Sequence, residues 1–205
     1  EAYARIPAIR ERVEAVRRFR QVSPREATKK LAETPALFGE IRQPEEGRYI
    51  LVPRVSSENR PYIPMGFLSA ETIASDAVFL VPEASAALFG ILNSAMHIAW
   101  VRGVAGRLKS DYRYSASVVY NNFPFPDLED GTGEVETAAE ALLAVQQRLL
   151  PELGPSLYAE ETMPAEFREA HRWLDAAVDA LYGWAGGEEE ERLAFLFSLY
   201  RKKTE

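Results

Sequence analysis

Cysteine is absent from all 205 residues, and histidine occurs only twice. Disulfides and thiolate metal ligands are therefore excluded, and two histidines without cysteine make a zinc site unexpected. Long apolar runs are also missing. The most apolar helix, expected over 86–101, is interrupted by Asn93, Ser94 and His97 and is too short to span a bilayer. The opening residues, EAYARIPAIR, lack the apolar core of a secretory leader. They also lack an initiator Met, so a piece of a larger polypeptide with a cytoplasmic location is expected. No Gly-rich nucleotide loop follows a strand, and no serine sits in a Gly-x-Ser-x-Gly elbow. Gly103 and Gly106 close a helix instead of opening one. The four glutamates at 188–191 point in different directions around a helix start, where they are solvated and favour the dipole. No catalytic centre is recognisable, and no metal site is expected.

What is present suits a folded protein: 47% hydrophobic and 27% charged residues can build a sizeable core. The net charge of −7 is unevenly spread. Residues 1–127 carry 17 Lys+Arg against 14 Asp+Glu, and residues 128–205 carry 7 against 17. That asymmetry fits a front that faces a polyanion and a solvating back, and equally an acidic protein with an uneven split.

The periodicities give an α+β region over 1–127 followed by an all-α bundle over 128–205. Ile6, Ile9, Val13 and Val16 recur at helical spacing, predicting a helix over 3–21. Ser23-Pro24 reads as a cap and first position of a short helix ending near Ala32. Arg48–Val55 and the Pro-punctuated Pro61–Leu68 read as strands, joined by the polar SSENR. Val78–Val81 is a third strand, and a long buried helix capped by Ser85 follows to Val101. Ala116–Tyr120 is β-branched and reads as a fourth strand, completing a small mixed sheet. LEDGTGE (128–134) is a linker by composition. Helices are then expected over Glu134–Leu150, stopped by Pro151, over Pro164–Gly183, and over Glu188–Lys203. His97 reads as a satisfied core histidine, and His171 as an interface or surface residue.

Chemistry concentrates at 103–126, GVAGRLKSDYRYSASVVYNNFPFP. Arg107, Lys109, Asp111 and Arg113 alternate, and in an extended chain they project to one side. A lysine can donate to guanine O6 and N7, and an aspartate can accept from cytosine N4, so Lys109 and Asp111 could read one G·C pair. The same pair could neutralise itself as a surface ion pair. Arg54, Ser56, Ser57, Glu58, Asn59 and Arg60 form a second polar cluster. Arg17 and the other arginines of the first helix could track phosphates or simply be solvated.

The segments RYILVPRVSSENRPYIPMGFL (48–68), TIASDAVFLVP (72–82), 87–126 with its terminal YNNFPFP, and HRWLDAAVDALYGW (171–184) together resemble MmeI-like, type IIL restriction–modification enzymes. The resemblance is to their target-recognition domain and C-terminal helical domain. It implies a module that reads double-stranded DNA for an adenine-N6 methyltransferase and a nuclease lying upstream in the same polypeptide. S-adenosylmethionine and Mg2+ are then expected in the full-length enzyme and no cofactor in this part. By the same resemblance Lys109 and Asp111 match a pair that sets one base of the site, and Arg54, Asp76 and Ala77 match further specificity positions. Arg107, Arg113, Tyr112, Arg60 and Arg17 would serve the DNA backbone. The alternative is a protein–protein interaction module with an acidic helical surface. Neither involves a membrane.

Overall fold

The computed structural model describes residues 5–128 and 131–204 and divides the chain into two compact units, 1–42 and 43–205. Residues 3–4 of the expected first helix and Glu129-Asp130 of the expected linker lie outside the described residues.

The first unit is helical. Helix α1 (Pro7–Gln21) starts with proline at its first position, where the missing N–H costs nothing. Helix α2 (Glu26–Lys30) begins later than the Ser23-Pro24 signal predicts, because the Ser23 hydroxyl accepts from Arg25 N at 3.2 Å instead of capping the helix. A 3-10 turn, Leu31–Glu33, follows. Arg20 ties the unit together. Its guanidinium donates to the carbonyls of Leu31 (2.8 Å), Thr34 (3.0 Å) and Leu37 (2.9 Å), satisfying acceptors a short helix leaves open.

The second unit holds two three-stranded sheets in place of the one small mixed sheet expected, and every pairing is antiparallel. The first sheet is ordered β3–β1–β4, from β1 (Arg48–Pro53), β3 (Gly66–Ser69) and β4 (Val78–Pro82). The second is ordered β2–β6–β5, from β2 (Val55–Ser56), β5 (Gly106–Leu108) and β6 (Asp111–Arg113). The long buried helix is two helices, α3 (Ala86–Leu92) and α4 (Ala95–Val104), broken where Asn93 and Ser94 interrupt the apolar run. Ser85 caps the first by accepting from Leu88 N, and Ser94 caps the second by accepting from His97 N. The expected fourth strand, Ala116–Tyr120, is instead a π-turn capped by Ser115. Tyr120 N reaches back five residues to Ser115 O (3.3 Å), and Asn121 N reaches Ala116 O (2.8 Å). β-Branched composition lost there to a cap and to burial of Val119, whose carbonyl accepts from the Trp100 indole at 3.0 Å.

Helices α5 (Gly133–Leu153), α6 (Ala165–Tyr182) and α7 (Glu189–Thr204) complete the unit. Pro151 does not stop α5. It sits in the last turn, where the helix runs on for two more residues before Gly154 ends it. Helix α6 ends at Gly183, whose φ of 66° suits a residue without a β-carbon.

One hydrophobic core joins the sheets to these helices, so the change of composition near residue 128 is not a gap in the packing. Gly90 marks a close contact between helices: a β-carbon there would lie 3.0 Å from both Leu174 and Val135 and 3.1 Å from Ala139. Helix α3 thus presses directly on α5 and α6. The YNNFPFP run is part of the same core. Phe123 is edge-on to His97 (5.0 Å) and to Phe125 (4.9 Å), and Tyr182 donates to the Pro124 carbonyl at 3.2 Å.

Candidate nucleic-acid interface

Strands β5 and β6 form a hairpin that periodicity did not reveal, because each strand has only three residues. Leu108 pairs with Asp111, leaving Lys109 and Ser110 as a two-residue loop. Lys109 has φ 58°, the backbone conformation tight hairpin turns demand and glycine normally supplies. Its side chain is exposed at the tip. Among the described residues no salt bridge joins Lys109 to Asp111 or engages either of them. The self-neutralised pair that spacing allowed is not formed.

Register sorts the remaining side chains onto two faces. Arg107 pairs with Tyr112, and Gly106 with Arg113. The turn therefore separates residues that simple alternation would place together. Arg113 and Asp111 share the outer face with Leu108 and Val55, which are 53% and 38% exposed. Arg107 lies on the opposite face, its guanidinium carbon 4.1 Å from the Tyr112 ring centroid. It donates to the Ser110 carbonyl at 3.1 Å and stands 3.9 Å from Glu58. Tyr112 is only 6% exposed, so it acts as the platform for Arg107 more than as a free phosphate ligand.

Arg54 sits where β1 passes into β2, at the seam of the two sheets. Its N–H donates to the Ala77 carbonyl (3.0 Å), and its carbonyl accepts from Tyr114 N (2.9 Å). Its guanidinium carbon lies 4.4 Å from the Phe79 ring centroid. Asp76 and Ala77 are exposed in the turn before β4. The seam thus gathers three sequence-remote groups: Arg54, the 76–77 turn, and the hairpin that ends at Tyr114.

Two other expected backbone contacts, Arg60 and Arg17, have surroundings within their own units. Arg60 is half-buried and lines a hollow with Pro53, Pro64, Leu150 and Tyr158. Arg17 is spent within the first unit, donating to the Ala32 carbonyl at 3.2 Å with its Nε 3.4 Å from Glu14. The Arg17 guanidinium thus has donors engaged by its own unit. Arg10, Arg12 and Arg18 remain exposed on α1.

Both histidines are fully buried. His171, expected at a surface, lies beneath Tyr62 in a parallel stack at 3.6 Å, and burial lowers its pKa to about 3. The neighbouring Asp175 accepts from the Tyr62 hydroxyl and from Ala95 N, both at 2.6 Å. Burial pushes its pKa up to about 6 despite those two donors. Asp175 thereby caps α4 from α6. A carboxylate between Leu174 and Val178 on the buried stripe was the sequence signal for it. Among the described residues there is no group of three or more His, Asp or Glu suited to a metal ion, and no helix is long and apolar enough to cross a membrane.

Residues 1–127 match the family described as MmeI, target recognition domain, and residues 129–205 match the family described as MmeI, C-terminal domain. The chain is 44% identical over 202 residues to DNA methyltransferase A of Bacillus subtilis (strain 168), covering 97% of this chain and 23% of that protein. It is similar, with a TM-score of 0.86 and 44% identity, to the type IIL restriction–modification enzyme MmeI in a structure solved in complex with DNA. That match covers 97% of this chain and 27% of the other. The chain therefore spans about a quarter of the length of these relatives.

Proposed function

We propose, because this chain belongs to the MmeI target recognition domain and MmeI C-terminal domain families, that it is the part of a type IIL restriction–modification polypeptide that reads a short sequence of double-stranded DNA. The observation that carries this reading is the hairpin tip. Lys109 is exposed in a strained backbone conformation, and among the described residues neither it nor Asp111 is drawn into a salt bridge. A two-stranded ribbon fits the major groove, where a lysine donates to guanine and an aspartate accepts from cytosine. Arg54, Asp76 and Ala77 at the adjoining seam serve further bases, and Arg113 and Arg107 serve phosphates. Adenine-N6 methylation and cleavage, with S-adenosylmethionine and Mg2+, belong to the rest of such a cytoplasmic polypeptide. S-adenosylmethionine supplies the methyl group, and the residues of this chain hold the sequence in register for its transfer.

Selection of duplexes from a randomised pool by the 205-residue chain at low salt, followed by sequencing, tests the reading. One strongly preferred base pair should depend on the tip, and exchanging its charges (Lys109→Glu with Asp111→Arg) should change which base is preferred there. Each bidentate contact is worth roughly 1–3 kcal/mol of discrimination. A preferred sequence indifferent to the exchange refutes base reading by this hairpin.

A further inference from the structure

The break between α3 and α4 leaves the Leu92 carbonyl without its helical partner, and His97 takes it. His97 Nδ1 lies 2.9 Å from Leu92 O. A carbonyl only accepts, so Nδ1 carries the ring proton and Nε2 presents a lone pair. That lone pair faces the Tyr114 hydroxyl at 3.0 Å, which must donate. His97 is fully buried and Tyr114 is 4% exposed, so water does not compete for either group. Burial holds His97 neutral, with its pKa lowered to about 4.

Tyr114 is where this buried bond meets the candidate interface. It is the first residue after β6, and its N–H donates to the carbonyl of Arg54, whose own N–H donates to Ala77. Its ring packs against Phe79 at 6.3 Å between centroids, and Phe79 lies under the Arg54 guanidinium. One residue, anchored by its hydroxyl to His97, therefore adjoins the hairpin, the Arg54 backbone and the ring that supports the Arg54 side chain.

We propose that His97 and Tyr114 are positioning residues for base discrimination: their hydrogen bond, made possible by the break in the buried helix, sets the height of the β5–β6 hairpin and of Arg54 above the core. The claim rests on the DNA-reading function proposed above. Reading groups must be held within about 0.5 Å of their working geometry by a supporting shell, and neither residue touches DNA in this arrangement.

The test uses the 205-residue chain and two measurements: affinity for the selected duplex against its single-base variants, and affinity for an unrelated duplex. Tyr114→Phe should lower discrimination at the positions read by the hairpin and Arg54 by up to about tenfold, the most one buried hydrogen bond commonly carries. Affinity for the unrelated duplex should stay within about twofold. His97→Leu combined with Tyr114→Phe removes the same bond but also leaves the buried Leu92 carbonyl without its donor, so the double variant should melt below Tyr114→Phe and keep discrimination low. Full discrimination in the folded Tyr114→Phe chain, or in the folded double variant, overturns the proposal. Lys109→Ala is the control. If it leaves base preference intact, base reading by the hairpin fails; if it abolishes preference at the hairpin's position while Tyr114→Phe does not, only the positioning role fails.

Discussion

Replacing Lys109 by glycine separates stability from recognition at a single position. A residue with a β-carbon held at φ 58° costs roughly 1–2 kcal/mol relative to the ordinary backbone regions. Glycine removes that cost but gives the unfolded chain more freedom, which takes back about 0.4–1 kcal/mol. The Lys109 side chain is exposed and engages no salt bridge, so little else is lost. The net effect on stability should fall between nothing and about +1.6 kcal/mol, a rise in melting temperature of at most a few degrees for a chain of this size. Lys109→Ala keeps the strain and should melt with the parent. Both variants lose the base contact, so discrimination at that position should drop by about 1–3 kcal/mol, or roughly 5- to 150-fold. Differential scanning calorimetry and binding to the selected duplex read the two quantities separately. A glycine variant that melts several degrees lower would show that the lysine side chain holds the turn, and unaltered base preference would show that it does not read.

Two further predictions concern the scaffold. Gly90→Ala places a β-carbon 3.0 Å from Leu174 and Val135 on two different helices; overpacking of about 1–3 kcal/mol should outweigh the gain of up to about 1 kcal/mol in helix propensity, and urea unfolding with a midpoint equal to or above the parent's would contradict this. Asp175 has its pKa raised to about 6 by burial, so the folded state holds its proton more tightly than the unfolded chain does. Its contribution to stability is complete below about pH 4 and is lost as pH climbs through 6, by roughly 2–3 kcal/mol at most. Asp175→Asn can still accept from Ala95 N and donate to Tyr62, so the slope of unfolding free energy between pH 4 and 6 should flatten, and an unchanged slope would assign the titration to another group.

Helix propensity, caps and apolar stripes in this chain determined most of the helical elements and the α+β character. The stripe of Phe167, Leu174 and Val178 folds as α6, and Gly183 ends it, because such signals are local and each helix satisfies its own backbone. The presence of a cluster of charged and polar residues near residue 110 was equally local. Its geometry was not. Arg107, Lys109, Asp111 and Arg113 alternate in sequence, but a two-residue turn falls among them, and strand pairing places Arg107 and Asp111 on opposite faces. The π-turn at Ala116–Tyr120, the division of the buried helix at Asn93–Ser94 and the burial of His171 were also tertiary outcomes. Each depends on partners distant in sequence: Trp100 for the Val119 carbonyl, Asp175 for the free amide at Ala95, Tyr62 stacked on His171. Local composition can name the groups that carry charge or donate hydrogen bonds. Which of them remain free to meet a ligand depends on where buried polar atoms find partners, and only the folded chain brings those partners together.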